Sequence, residues 1–310
     1  MSLDLRQLRY FIAVADELHF GRAAARLHIV QPALSMQIKA LEQHLGAELL
    51  TRSRQHVALT SVGAAFLQEA RRVVAQAERA EAVGRRAADG RIGLLRVGYI
   101  ASAPFSGVLS RAMSSFVRDF PEVELRLEEL GSPEQVQRLR DGALDVGFVR
   151  LPLASAAGID VVRLTRERIM VALPSGHRLA AQTAIAPAAL RDERFIIASS
   201  QADIGFAAVI RRICEKGGFT PLVAHTVTQV AAAIVLVEAG LGISLVPQSA
   251  TAIQVGTITY RQLRDADDVS EIALVVMAGD RSPVTLNFVR STVAGQNCYS
   301  GHDFPAKGPK

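Results

Sequence analysis

Within residues 21–46 a short helix, a three-residue connection and a second helix follow one another, and no other feature narrows the fold as far. In the first helix, residues 21–27, Ala23, Ala24 and Leu27 share one face, and alanine methyls let a neighbouring helix approach closely. His28, Ile29 and Val30 leave room only for a tight turn. Pro32 then stands in a first helical turn, where its missing N–H would have had no partner. Leu34, Ile38, Leu41 and Leu45 recur at i, i+4, i+7 and i+11 as one apolar stripe, and Gly46 suits a left-handed C-cap. Two helices so joined present the second one outward, the geometry of a helix that enters a DNA major groove.

The flanks extend this unit. Residues 4–18 carry Leu5, Leu8, Phe11, Ile12 and Ala15 at helical spacing behind the capping residue Asp4. Residues 48–60 read as two short strands around a polar, basic tip, a β-hairpin wing. Residues 61–89 are rich in Ala, Arg, Glu and Gln, with Phe66, Ala70, Val73, Val74, Ala77 and Ala80 on one face. A lone helix of that length has to bury its stripe, and a second copy of itself is the simplest partner. Gly90 and Gly93 end it. Beyond them, strands at 94–100, 122–130, 143–149, 161–173, 194–198, 221–226, 243–246 and 271–277 alternate with helices at 104–120, 133–140, 205–217, 227–239 and 283–295. This alternation predicts α/β lobes with mainly parallel sheets, the run 161–173 crossing between them. The tail 297–310 reads as flexible.

Several function classes fall away. No apolar run reaches the ~18 residues of a membrane span, and the start, Met1 to Arg6, shows no export signal, which points to a cytoplasmic chain without membrane contact. Cys214 and Cys298 stand outside any motif and read as reduced thiols. The seven histidines (His19, His28, His44, His56, His177, His225 and His302) lack metal-ligand spacing. Gly240-Leu241-Gly242 lacks the spacing of a dinucleotide loop, and neither a nucleophile elbow nor a P-loop occurs. No metal, cofactor or catalytic residue is therefore expected. The net charge of +5 is mild, but between Phe20 and Thr60 Arg22, Arg26, Lys39, Arg52 and Arg54 face only Glu42 and Glu48, a balance that permits nucleic-acid binding.

The string FGRAAARLHIVQPALSMQIKALEQHLG at residues 20–46 resembles the DNA-binding signature of LysR-type transcriptional regulators, and AELLTRSR at 47–54 with Leu59-Thr60 is similar to that family's wing and linker start. Further along, DVGFVR at 145–150 and GLGISLVP at 240–247 resemble its effector-domain strands. RVGYIAS at 96–102 with Gly131-Ser132 is most similar to the branch that governs benzoate, catechol and chlorocatechol breakdown. The resemblance implies an α/β fold with an N-terminal, all-α winged helix-turn-helix (1–60), a linker and dimerisation helix (61–90), and a two-lobed effector domain like periplasmic binding proteins. Its lobes would be 91–162 with 269–296, and 163–268. It also implies a homotetramer, a dimer of dimers, acting on double-stranded DNA and through RNA polymerase.

Site residues follow from both readings. Gln31, Pro32 and Ser35 begin the second helix off its apolar stripe; glutamine matches adenine bidentately, and serine bonds a base or a phosphate. Gln37 is a further DNA contact, and Lys39, Arg52 and Arg54 would hold phosphates. Two positions depart from the family: Met36, where arginine is frequent, and Val30, where a capping serine or threonine is frequent, a loss of about 1 kcal/mol. For the effector, Ser102 and Ser132 stand at helix starts and Arg150 at a strand end, where open α/β sheets bind ligands. The resemblance places Ala101, Ser102, Ser132, Phe206, Val230 and Ile272 around the effector, with Arg150 lining it. Two hydroxyls and a cation among apolar groups suit a small carboxylate, muconate-like or aromatic. The alternatives are a solute-binding protein without DNA function and a regulator of an unrelated pathway.

Overall fold

The structure, a computed structural model, describes residues 3–52, 56–198, 204–264 and 268–295. Arg54, Cys298 and the tail 297–310 lie outside these residues. Two compact units divide between Arg86 and Ala87.

The first unit holds α1 (Leu5–Glu17), α2 (Phe20–Arg26), α3 (Gln31–Leu45), a hairpin of β1 (Leu50–Arg52) and β2 (Val57–Leu59), and α4 (Ser61–Ala88). Asp4 caps α1, accepting from the Arg6 N–H at 2.8 Å, and Gly46 ends α3 at φ +68°. Leu8, Phe11 and Val14 of α1 meet Ala23 and Ala24 of α2 and Leu34, Ile38 and Leu41 of α3 in one core. Leu45 departs from the expected stripe and is 37% exposed, because Gly46 turns the chain away before that face closes. The Glu42 carboxylate accepts from the N–H groups of Leu49 and Leu50 at 3.0 and 3.2 Å and so ties α3 to the wing. Thr60 joins wing to α4: its hydroxyl donates to the Glu48 carbonyl and accepts from the Gly63 N–H, both at 2.8 Å.

The second unit is built on an eight-stranded sheet of order β4-β3-β5-β12-β6-β11-β7, with β10 also pairing β6, and a two-stranded sheet of β8 and β9. The strands are β3 (Gly93–Tyr99), β4 (Val123–Glu129), β5 (Val146–Arg150), β6 (Ile159–Pro174), β7 (Ala184–Ile185), β8 (Arg194–Ala198), β9 (Leu222–Val227), β10 (Ser244–Pro247), β11 (Ile258–Leu263) and β12 (Val269–Met277). The helices are α5 (Ala103–Ser106), α6 (Val108–Asp119), α7 (Ser132–Arg140), α8 (Phe206–Lys216), α9 (Val230–Glu238) and α10 (Pro283–Ala294).

Both faces of the sheet are covered in each half, which is why its strands are near-continuous apolar runs. One half packs α5, α6 and α10 on one face and α7 on the other; the second packs α8 and α9 on opposite faces. β6 runs through both, pairing β12 along 159–168 and β10 and β11 along 169–174.

Three expectations are corrected. The sheet is mixed rather than mainly parallel: β12 returns after the whole second half and runs antiparallel to both β5 and β6. Local alternation carries no information about such a return. The helix expected at 104–120 is split by Gly107 at φ +73°, and α9 starts at Val230 because β9 takes the chain to Val227. β7 and β11 were not legible at all. Among the described residues no helix is long and apolar enough to cross a membrane, and no group of His, Cys, Asp or Glu has metal-ligating geometry. Cys214 is buried, and burial pushes its thiol up to about 12, so it is an apolar packing group.

Candidate functional sites

In the first unit, Gln31, Pro32, Met36 and Lys39 are exposed and Ser35 is half-exposed. At 100° per residue these five fall within one arc of α3, opposite Leu34, Ile38 and Leu41. Met36 within the arc is 64% exposed, and Val30 just before the helix is 69% exposed. Val30 occupies the N-cap without a side-chain cap bond, as the missing hydroxyl implies. Gln37 is not on this face. It turns toward α1, where its Oε1 accepts from Gln7 Nε2 at 3.3 Å. Arg52 closes β1.

In the second unit, a cleft of about 710 Å³ lies between the carboxyl ends of β3, β4 and β5 on one wall and the starts of α8 and α9 on the other. Such a volume suits a small organic molecule. Its floor is Arg150, the last residue of β5 and only 5% exposed. The Arg150 backbone N–H donates to Ser132 Oγ at 3.0 Å, and Nη2 donates to Ser102 Oγ at 2.7 Å. Nη1 donates to Ser270 Oγ on β12, and the guanidinium lies 5.6 Å from the centre of the Phe206 ring. Burial pulls the guanidinium down to about 10, with Glu167 of β6 opposing the shift, so the group is cationic at neutral pH. Among the described residues no carboxylate sits within ion-pair distance of it. A buried cation held by neutral hydroxyls and an aromatic face, open to a cleft, is a receptor for an anion.

The surrounding sequence builds that receptor. Asp145 accepts from the Arg96 backbone N–H at 2.7 Å and from its guanidinium at 2.8 Å, locking β3 to β5 at the end away from the cleft. Gln135 is fully buried, and its Nε2 donates to the carbonyls of Leu130 at 2.7 Å and Phe148 at 3.1 Å, which holds the 130–132 segment against β5. Gly147 leaves room for it: a Cβ there would lie 2.7 Å from Gln135 Oε1.

Ala101, Ser102, Ser132, Arg150, Phe206 and Val230 all line the cleft. Ile272 does not. It pairs with Arg150 across β5 and β12 and is buried in the core beneath, because β12 enters the middle of the sheet. The sequence reading missed Ser270, Gln135, Glu129 and Gln229. A serine two positions before Ile272 on the same strand face was the one available signal for Ser270.

Residues 5–64 match the family of bacterial regulatory helix-turn-helix proteins of the lysR type, and residues 88–295 match the LysR substrate binding domain. The HTH-type transcriptional regulator YnfL of Escherichia coli is 38% identical over 289 residues, covering 93% of this chain and 97% of its own. TdfR of Cupriavidus pinatubonensis, another HTH-type transcriptional regulator, is 36% identical over 289 residues, covering 93% of this chain and 97% of its own. The crystal structure of CbnR, a LysR family transcriptional regulator, superposes with a TM-score of 0.79 at 31% identity, covering 94% of this chain and all of CbnR. CbnR in complex with its target DNA gives 0.78 at 30% identity, covering 94% of this chain and 99% of that one.

Proposed function

This chain belongs to the LysR family of DNA-binding transcriptional regulators, and from that premise we propose that it governs its promoter in response to a small carboxylate held on Arg150. One observation carries the reading: the cleft floor is a buried guanidinium that forms no ion pair among the described residues, with Glu167 acting on it only from beyond that distance. A muconate-like or aromatic acid fits best. Its carboxylate would supply a directly paired counter-charge beside Ser102 and Ser132, and its hydrocarbon body would rest on Phe206 and Val230. The pathway in this reading is the breakdown of an aromatic compound. A calorimetric screen of aromatic acids and their ring-cleavage products against the whole chain tests it; a screen in which none binds overturns it.

On DNA, Gln31 would pair with adenine, Ser35 with a base or phosphate, and Pro32 with a thymine methyl, while Lys39, Arg52 and Arg54 hold phosphates. Gln37, tied to Gln7, serves to hold α3 in place instead. Substituting Gln31→Ala together with Ser35→Ala is expected to weaken operator binding by about 10- to 100-fold and to flatten base preference, at an unchanged salt slope because base contacts release no counterions. Mobility shifts across a salt series read both quantities. Met36→Arg adds a cation beside Ser35; it is expected to tighten binding several-fold and to steepen the salt slope by about one.

The coupling we propose is a population shift. The lobes, 91–162 with 269–296 and 163–268, take two arrangements, and an acid preferring one by about 1–3 kcal/mol moves the balance. Helix α4 packs Phe66, Ala70 and Val74 into the core of the first unit, while Val73, Ala80 and Val83 stay exposed and are offered to a second copy; the working assembly is a cytoplasmic homotetramer that alters DNA bending and RNA polymerase access. A footprint and bend angle unmoved by every acid that binds would exclude this coupling.

A further inference from the structure

The cleft is lined by charges of both signs. Among the described residues, three charged ones line it: Arg150 at the floor, and Glu129 and Glu134 on the wall formed by the end of β4 and the first turn of α7. Glu134 is balanced, since its Oε1 accepts from Arg138 Nη2 at 3.0 Å on the next turn of α7. Glu129 is not. Its Oε1 accepts at 2.8 Å from Nε2 of Gln229, a neutral amide at the N-cap of α9 on the opposite wall, and among the described residues it forms no ion pair. Among the described residues, Arg150 therefore has no ion-pair partner and feels only the longer-range charge of Glu167, and the exposed carboxylate of Glu129 has no counter-cation.

We infer that the effector is a monocarboxylate with a hydrogen-bond donor, a hydroxyl or an ammonium, at its opposite end, and that Glu129 is the specificity-determining acceptor for that donor. This rests on the carboxylate reading of Arg150. A carboxylate has two oxygens and about four acceptor sites, so Glu129 keeps capacity beyond the Gln229 bond. A dicarboxylate anchored on Arg150 would turn its second charge toward Glu129, and like charges brought together across a binding site select against a ligand. Gln229 offers a neutral donor that spans the cleft and holds Glu129 in place without cancelling its charge. Muconate is itself a diacid, so of the two classes named above this selects the aromatic acids, and among them those bearing a hydroxyl or an amino group.

Four acids that differ only at the para position separate the possibilities: benzoate, 4-hydroxybenzoate, 4-(aminomethyl)benzoate and terephthalate. The chain contains no tryptophan, so calorimetry on the whole chain is the readout. The acid with a hydroxyl or an ammonium is expected to bind about tenfold tighter than terephthalate, with benzoate between them. Which of the two donors leads identifies the donor. In Glu129→Gln, terephthalate is expected to gain several-fold and the ammonium-bearing acid to lose several-fold, which closes the gap. Terephthalate binding the parent as tightly as the donor-bearing acids, or a ranking untouched by Glu129→Gln, overturns the inference while leaving the carboxylate reading intact. If none of the four binds, both fall together.

Discussion

Replacing Arg150 by methionine is expected to lower the affinity for every acid that binds the cleft by about 100-fold or more, the usual consequence of truncating one partner of a buried, hydrogen-bonded charge pair. The side chain meets Ser102, Ser270 and Phe206 while Ser132 holds its backbone N–H, and among the described residues no other cation lines the cleft. Methionine keeps most of the volume and removes the charge. In the free protein two effects oppose one another. Burial holds the Arg150 guanidinium below its ordinary value, which means that its charged form is disfavoured in the fold. The folded state therefore binds this proton less readily than the unfolded chain. That penalty is present in full below about pH 10 and is relieved as the pH rises above it. Removing the cation removes that penalty but leaves the buried Ser270 hydroxyl and Glu167 without it, so the melting temperature of the acid-free variant is expected to fall by several degrees, while the rise in melting temperature on adding acid disappears. Calorimetry and thermal melts measure the two quantities separately. Retention of affinity within threefold in the variant would show that Arg150 is not the anion receptor.

The second large effect concerns Gly63, in the first turn of α4. Helix propensity by itself predicts that Gly63→Ala stabilises the helix by about 1 kcal/mol. The structure reverses the sign. A Cβ at Gly63 would stand 2.0 Å from the Leu49 carbonyl oxygen and 2.9 Å from its carbon. That carbonyl cannot move aside, because it accepts from the Thr60 N–H at 3.0 Å and belongs to a fully buried residue. Backbone meets backbone here, so the wing and α4 have to separate, at an expected cost at the upper end of the usual 1–3 kcal/mol for overpacking or above it. The DNA-binding unit should lose protection in hydrogen exchange and its operator affinity should fall with it. Gly84 lies in the same helix with nothing within 4 Å of its would-be Cβ, and Gly84→Ala is expected to gain up to about 1 kcal/mol. A Gly63 variant as stable as the Gly84 variant would contradict the packing argument.

How much of this was legible beforehand depends on range. Asp4, Pro32, Gly46 and the Leu34–Ile38–Leu41 stripe act within one or two helical turns, and each is where its spacing predicted. Gly107 is a counter-example at the same range, a helix break that periodicity passed over. Gln37 was expected among the DNA contacts, and nothing in its spacing pointed to Gln7, whose Nε2 donates to it from α1. In the cleft, Ser102, Ser132 and Arg150 were recognisable as a strand end and two helix starts, yet Ser270 and Glu129 carried no local mark of their partners.

Taken alone, the amino-acid order determined most element types, β7 and β11 excepted, together with the helix-turn-helix, the family and the polar residues of the cleft, since periodicity, capping and turn chemistry operate between residues a few positions apart. Only the tertiary structure decided the antiparallel return of β12, the burial of Ile272 beneath the cleft, and the meeting of Arg150 with Ser102 and Ser270 over 48 and 120 residues of chain. Contacts at that separation are set by how whole sheets and helices bury one another, and no spacing within a single segment encodes them.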